Sequence, residues 1–208
     1  MLNSSAVRQP PKIALGRPRG FDVDAALRAA LEVFWTRGYA ATSLDELNDA
    51  MGLSRSSFYA CFGSKHELLM AAVRLYADER FASLTAQATA NPDARLAIHE
   101  MLAAIANIEG GNRGCLFVNA VAELAPGDAE LVVFARAHTT RVAALMTTAL
   151  VGLGCPQREA ADRAGALLAL VMGVTTLRKT GVPTAQLASL LAQADYLIPQ
   201  KNSTKKKQ

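Results

Sequence analysis

Four side chains that could bind a nucleic acid fall within one short segment, R-S-S-F-Y-A-C-F. Arg55, Ser56, Ser57 and Tyr59 place a cation, two hydroxyls and a phenol within five residues. An arginine fork matches a guanine edge or a phosphate, and hydroxyl groups bond to either kind of acceptor. The segment therefore predicts contact with double-stranded DNA if it forms an exposed helix. A solvated surface helix is the alternative.

Three short helices are predicted around this segment. Apolar residues recur at three- and four-residue spacing over 23–37. Ser43 begins a second helix, with Glu46 three residues later at capping-box spacing, and this helix ends near Gly52. Ser54 then caps the segment itself. Short helices joined by a three-residue turn are typical of a helix-turn-helix unit.

The apolar residues of these helices are predicted to form a small core and to take no part in recognition. Their spacing places them on inward faces. They are Phe34, Leu44, Leu47, Leu53, Phe58 and Phe62.

Three further residues lie at helix starts, where a phosphate could bind. Thr42 and Ser43 precede the second helix, and Lys65 begins a fourth after the cap Ser64. Free backbone N–H groups and the positive end of the helix dipole attract anions there. Such contacts position a protein on DNA and do not select a sequence. For Ser43, an ordinary capping role is compatible with the same pattern.

Basic residues are concentrated at the two ends of the chain. Residues 1–20 carry four cationic side chains and no acid, and residues 201–208 carry another four. Arg17 and Arg19 lie in G-R-P-R-G directly before the first helix, and extended arginines of this kind can enter a narrow minor groove. We predict a flexible DNA-binding arm over 1–20 and a disordered basic tail over 200–208.

From about Ala29 to Leu69 the chain resembles the tetracycline-repressor (TetR) family of bacterial regulators. The resemblance rests on F-W-T-R-G-Y-A-A-T-S-L-D-E-L, followed by G-L-S-R-S-S-F-Y-A-C-F-G-S-K-H-E-L-L. It implies a homodimeric repressor, released from a palindromic operator by a small organic effector, with Ser57 and Tyr59 contacting bases and backbone. Ala60, Cys61 and Asn48 depart from the family pattern, so the operator sequence does not carry over.

Helical signals continue after this region, and no stretch shows the alternation of a strand. We predict an all-α fold with a three-helix domain over 21–67 that contains the helix-turn-helix, and a helical effector-binding and dimerisation domain over 68–199. The fourth helix is expected to continue to about residue 89. Later helices are expected over 93–109, 115–125, 128–153, 157–180 and 184–198.

Ligand and dimer contacts are predicted in the second domain. An apolar pocket with few polar groups suits a small organic molecule. Its candidates are Met101, Ile105, Phe117, Val121, Phe134 and His138, with Leu116, Met146, Asn119 and Arg141 as further possibilities that could equally be core or surface. The dimer candidates are Gly165, Leu168, Met172, Leu187 and Leu191, on stripes that could also face the monomer core.

The three cysteines form no paired spacing, which excludes a disulfide framework and fits a reducing cytoplasm. Cys115 follows Arg113 and Gly114 at a predicted helix start, where nearby positive charge favours a thiolate. A regulator that senses oxidants or electrophiles through Cys115 is therefore an alternative, beside an inert buried cysteine. Cys61 is a weaker candidate.

No feature of the sequence predicts an enzyme, a cofactor or a metal. The sequence contains neither a glycine-rich phosphate loop nor a zinc motif. His66, His99 and His138 have no recognisable catalytic setting. The longest apolar stretch, 164–174, is too short for a bilayer, so we expect a cytoplasmic protein without a membrane segment. A helical protein-interaction module without DNA binding is the alternative class, and activation remains open beside repression.

Overall fold

The computed structural model describes residues 22–200. The predicted arm, with Arg17 and Arg19, and nearly all of the predicted tail lie outside the described residues. Within the described range every regular element is a helix, as the sequence predicts. The α-helices are α1 (Val23–Arg37), α2 (Leu44–Met51), α3 (Arg55–Phe62), α4 (Lys65–Ala90), α5 (Ala94–Ala106), α6 (Leu116–Leu124), α7 (Ala129–Gly152), α8 (Gln157–Lys179) and α9 (Thr184–Ala192).

Side-chain caps explain where most of these helices begin. Ser43, Ser54 and Ser64 each accept a hydrogen bond from a backbone N–H in the first turn of the helix that follows. Asp22 and Asp128 cap α1 and α7 in the same way. Because a cap is a local interaction, its residue types predict the helix start from sequence.

Three helix ends differ from the sequence-based expectation. Helix α5 ends at Ala106 because Asn107 takes a left-handed conformation with φ 41°. Its cap is Asp93, so the helix begins at Ala94, one residue after the expected start. Helix α9 ends at Ala192 and tightens into a 3₁₀ turn over Gln193–Tyr196.

Two hydrophobic clusters hold the structure together. One joins α5, α7, α8 and α9 with the C-terminal part of α4. The other contains the buried residues of α1–α3 and also Leu116, Phe117 and Ala120 of α6. The N-terminal helices therefore share their core with the C-terminal domain. The predicted boundary at residue 67 falls inside the continuous helix α4.

Candidate DNA-binding surface and ligand cavity

Helices α2 and α3 form a helix-turn-helix joined by residues 52–54. Gly52 ends α2 in the left-handed conformation, with φ 65° and ψ 34°, which a residue with a side chain adopts only at a cost. Of the predicted core residues, Phe34, Leu47 and Phe58 are at most 2% exposed. The other three, Leu44, Leu53 and Phe62, are half-buried and pack against the same cluster.

Burial of Phe58 leaves the opposite face of α3 open to solvent. Arg55, Ser56 and Tyr59 are exposed, and Ser57 is half-buried. Tyr59 keeps 52% of its surface accessible while its ring packs edge-on against Phe58 at 5.2 Å. The α3 side chains that were predicted to contact DNA therefore lie on the part of the helix that is accessible to solvent.

Arg55 forms an ion pair that the sequence did not suggest. Its Nε and Nη2 donate to both carboxylate oxygens of Asp45 on α2, at 2.8 to 3.1 Å. Both side chains remain about two-thirds exposed. The two residues are ten positions apart and on different helices, so only the packing of α2 against α3 brings them together.

The three residues predicted at phosphate positions have different surroundings. Thr42 is 2% exposed, and its hydroxyl donates to the Gly38 carbonyl at 2.6 Å, so its side chain is occupied within the turn. Ser43 forms the expected capping box with Glu46, and its hydrogen bonds hold the pKa of Glu46 below the ordinary value. Lys65 places Nζ 4.3 Å from the centre of the Tyr39 ring.

The charge of the N-terminal helices is unfavourable for DNA. Residues 22–67 contain seven carboxylates and four cationic side chains, a formal charge of −3. Several cations are already paired, including Arg28 with Glu79 and Arg37 with Glu46. Because affinity for DNA depends on neutralising phosphates, the net charge of this range adds no long-range attraction.

A small cavity of about 60 Å³ lies in the C-terminal domain. Of the predicted ligand contacts, Ile105, Phe117 and His138 line it. The remaining three do not line it: Met101 is fully buried in the C-terminal cluster, and Val121 and Phe134 pack against the N-terminal cluster. Tyr76 and Arg80 of α4 also line the cavity, and no pattern in the sequence indicated either residue.

His138 lines the cavity with a ring nitrogen that forms no hydrogen bond to the described residues. It is 8% exposed, and its Nδ1 has no hydrogen-bond partner within residues 22–200. Phe117 lies 4.8 Å from its ring centre, and Phe134 stacks on it at 6.1 Å. Burial lowers the pKa of His138 below its ordinary value, with a smaller contribution from Arg141. The ring is therefore neutral near pH 7.

Cys115 also lines this cavity, and it is the residue directly before α6. It accepts a hydrogen bond from the Tyr76 hydroxyl at 3.5 Å, and burial raises the pKa of Tyr76 above its ordinary value. The cation expected beside the thiol is engaged elsewhere, because Arg113 lies over the Trp35 ring and pairs with Glu32 at 2.7 Å. Thiol sensing at Cys115 stays a prediction.

The other two histidines join secondary-structure elements. His66 Nε2 lies 2.6 Å from the Asp128 carboxylate at the start of α7. The pKa of Asp128 is held below its ordinary value, mainly by the hydrogen bond from the Leu131 N–H and to a smaller extent by the His66 ring. His99 lies 3.2 Å from Asp195.

Glu123, near the end of α6, links the two domains. Its carboxylate accepts the backbone N–H groups of Tyr39 and Ala40 at 2.9 and 2.6 Å. These residues form the turn between α1 and α2, which leads directly into the helix-turn-helix. The other end of α6 lines the cavity through Phe117 and Val118. One short helix therefore contacts both candidate sites.

The predicted dimer residues divide into two groups. Leu168 and Leu187 are buried inside the subunit, and Leu168 and Met172 line the cavity, so these stripes face inward. Gly165 is exposed, whereas Met172 and Leu191 are half-buried. The exposed face of α8, which includes the predicted Gly165, carries small residues at helical spacing: Ala161, Gly165, Ala166, Ala169 and Gly173.

Helix α8 is also the one described helix that is long and apolar enough to cross a membrane, with 39% of that window buried. A single helix of this kind is weak support for a membrane segment, because core helices of folded domains meet the same criterion.

Comparison with known proteins gives consistent matches. Residues 26–72 match the profile of bacterial regulatory proteins of the tetR family. The chain is 36% identical over 124 residues to the HTH-type transcriptional repressor ComR of Escherichia coli, covering 58% of this chain and 59% of that one. It is 31% identical over 125 residues to the uncharacterised regulator YezE of Bacillus subtilis, covering 56% and 62%. The chain thus spans about three-fifths of the length of these relatives.

Among solved structures, the fold matches a cysteine variant of the TetR family regulator CifR in complex with a 26-base-pair operator duplex. The TM-score is 0.75 at 27% identity, and the match covers 88% of this chain and 100% of that chain. The helix-turn-helix, the helical C-terminal domain and these matches agree: residues 26–72 form a tetR-type DNA-binding domain within a TetR-like fold, and the matches support a TetR family transcriptional regulator.

Proposed function

We propose that this protein is a ligand-responsive DNA-binding regulator that represses transcription from a palindromic operator and is released by a small organic molecule. The observation that carries the proposal is the open face of α3, where Arg55, Ser56 and Tyr59 are exposed on a helix fixed by the buried Phe58. An exposed helix of this kind can enter the major groove. The name of the relative ComR favours repression.

The contacts to DNA divide by the kind of group contacted. Arg55, Ser56, Ser57 and Tyr59 are proposed to reach bases and nearby backbone. Ser43 and Lys65 stand at helix starts and are proposed to contact phosphates. Thr42 is left out of this set, because its hydroxyl is buried and already bonded to Gly38. The arm with Arg17 and Arg19 is proposed to bind the minor groove.

Binding of a selected duplex by purified variants tests the proposed DNA surface. We expect Arg55→Ala and Tyr59→Ala each to weaken binding about 5- to 150-fold, the cost of one good base contact. Arg158→Ala is the matched control, because Arg158 is exposed on the distant helix α8. Equal reductions in all three variants, or none in the first two, would remove α3 from the binding surface.

The cavity is the proposed effector site. It combines apolar lining from Ile105, Phe117 and Val142 with the unpartnered nitrogen of His138. A wider cleft of about 620 Å³ between α1, α6 and α8 is closer to usual ligand-site volumes. We favour the cavity because charged residues along the cleft already pair with neighbours, as Arg113 does with Glu32.

The size of the cavity suggests how a ligand acts. About 60 Å³ is well below the roughly 300 Å³ of a small drug-sized site, so an organic ligand must displace lining side chains. Those side chains belong partly to α4 and α6, which both contact the N-terminal helices. A ligand that fits only the expanded state shifts the population toward it. The expected result is a changed angle of α3 and release of the operator.

A homodimer is proposed to present two copies of α3. Two half-sites a helical turn apart require a two-fold protein. The exposed small residues of α8 allow close helix approach, and a Cβ added at Gly165 would meet no atom within 4 Å. Gly165→Arg should therefore leave the subunit folded but shift sedimentation toward the monomer. Ala86→Arg, on an exposed part of α4, is the control.

A further inference from the structure

The geometry of the Arg55–Asp45 pair bears on how this protein selects a DNA sequence, an inference that rests on the proposed function. Arg55 uses the side of its guanidinium, Nε and Nη2, to donate to Asp45. The hydrogen bonds described for Arg55 leave Nη1 free, at the end of the fork. A guanidinium held from the side in this way still presents the two N–H groups of Nη1 to an acceptor in front of it.

We propose that Asp45 is a positioning residue for DNA specificity, which holds Arg55 to read a guanine in the major groove. Guanine offers two acceptors, O6 and N7, that match the end of an arginine fork. The ion pair with Asp45 restricts the long, exposed side chain of Arg55 and holds its guanidinium in one direction. Arg55 is the first residue of α3, the end of a recognition helix that reaches base edges.

The same carboxylate disfavours phosphate as the partner of Arg55. Asp45 is 68% exposed and contacts the guanidinium, so its negative charge lies beside any phosphate that approaches Arg55. The pair is neutral as a unit and adds little to attraction that depends only on charge. Asp45 therefore weakens binding to unrelated DNA while it favours one base, and Asp45 and Arg55 together act as a selective contact.

Selection from a pool of duplexes with a randomised central segment, followed by sequencing, tests this assignment. The wild type should show a guanine at one symmetric pair of positions, and Arg55→Ala should lose it. For Asp45→Asn, we expect the preference at that position to fall from about tenfold to about twofold or less. Binding to an unrelated duplex should become tighter. Asp45→Glu, which keeps the carboxylate, should retain part of the preference.

Glu130→Gln is the charge control. Glu130 pairs with Arg74 on the surface, and its substitution adds the same positive charge away from α3. If both variants change the base preference equally, or if Asp45→Asn keeps the guanine, the assignment of Asp45 is overturned while the proposed function stands. A phosphate role for Arg55 would appear as uniform weakening by Arg55→Ala, with the salt slope reduced by about 0.9 per phosphate. Failure of the wild type to enrich any sequence overturns both proposals.

Discussion

His138 shows how a single residue can relate cavity chemistry to stability. Its ring is enclosed by Phe117 and Phe134, and its Nδ1 has no partner in the described part of the chain. A buried nitrogen without a partner costs free energy. A ligand with a hydroxyl group could satisfy the nitrogen, so the site favours a mainly apolar molecule with one hydrogen-bonding group.

The lowered pKa of His138 gives a pH prediction. The unfolded chain takes up the proton at the ordinary pKa near 6.5, whereas the folded protein resists it. The stability contribution is thus complete above about pH 6.5 and is lost as the pH falls through the folded pKa. Denaturant unfolding at about pH 7.5 and about pH 5.5 should show a smaller decrease in stability for His138→Phe than for the wild type. Equal decreases would mean that His138 is not the residue that resists protonation.

Helix α6 is the element that joins the cavity to the DNA-binding surface. Its first turns line the cavity, and Glu123 near its end accepts two N–H groups from the turn before α2. If a ligand displaces α6 relative to this turn, we expect these hydrogen bonds to be strained or broken. We therefore propose that α6 is a second route between the two sites, beside the long helix α4.

Glu123→Ala should weaken the coupling between the cavity and the DNA-binding surface that passes through α6. Removal of the two exposed hydrogen bonds is expected to cost about 1 kcal/mol of stability and to reduce the effect of a ligand on DNA affinity more than DNA affinity itself. Ligand-dependent DNA binding by fluorescence anisotropy measures the coupling. Glu159→Ala, which breaks an exposed pair with Arg163 on α8, serves as the control. Unchanged coupling in Glu123→Ala would assign the transmission to α4 alone.

At the scale of elements, the sequence predicts the helices well and their mutual contacts poorly. Ser43, Ser54 and Ser64 mark helix starts because capping is decided within three residues. The contact of Glu123 with the α1–α2 turn spans more than 80 positions and has no local pattern. Leu168 and Leu187 were expected at a dimer surface and are buried, because an apolar stripe looks the same whether it faces the core or a partner.

In the whole molecule, the candidate base-reading side chains and most of the positive charge lie in different parts of the chain. The helices that carry the recognition side chains have a formal charge of −3, whereas residues 1–20 and 201–208 each carry four cations and no acid. We therefore propose that attraction to DNA comes mainly from the ends of the chain. The arm directly precedes α1 in the sequence, and we therefore propose that it, and not the tail, binds the groove beside α3.

Two deletions of equal charge test this division. Removal of residues 1–19 and removal of residues 201–208 each subtract four cations. The first should weaken operator binding and reduce the slope of log affinity against log salt by roughly 0.9 for each phosphate that is no longer neutralised. The second should change the slope less. Equal slopes for the two deletions would show that net charge matters and the position of the arm does not.

The symmetry and stoichiometry of the DNA that the purified chain selects are the most direct test of operator recognition by a pair of subunits. We predict an enriched sequence with two inverted half-sites, centred about one helical turn apart, bound by two subunits and no longer enriched by the combined variant Arg55→Ala and Tyr59→Ala. An enriched site without two-fold symmetry, binding by a single subunit, or a site that the combined variant still selects would contradict this prediction.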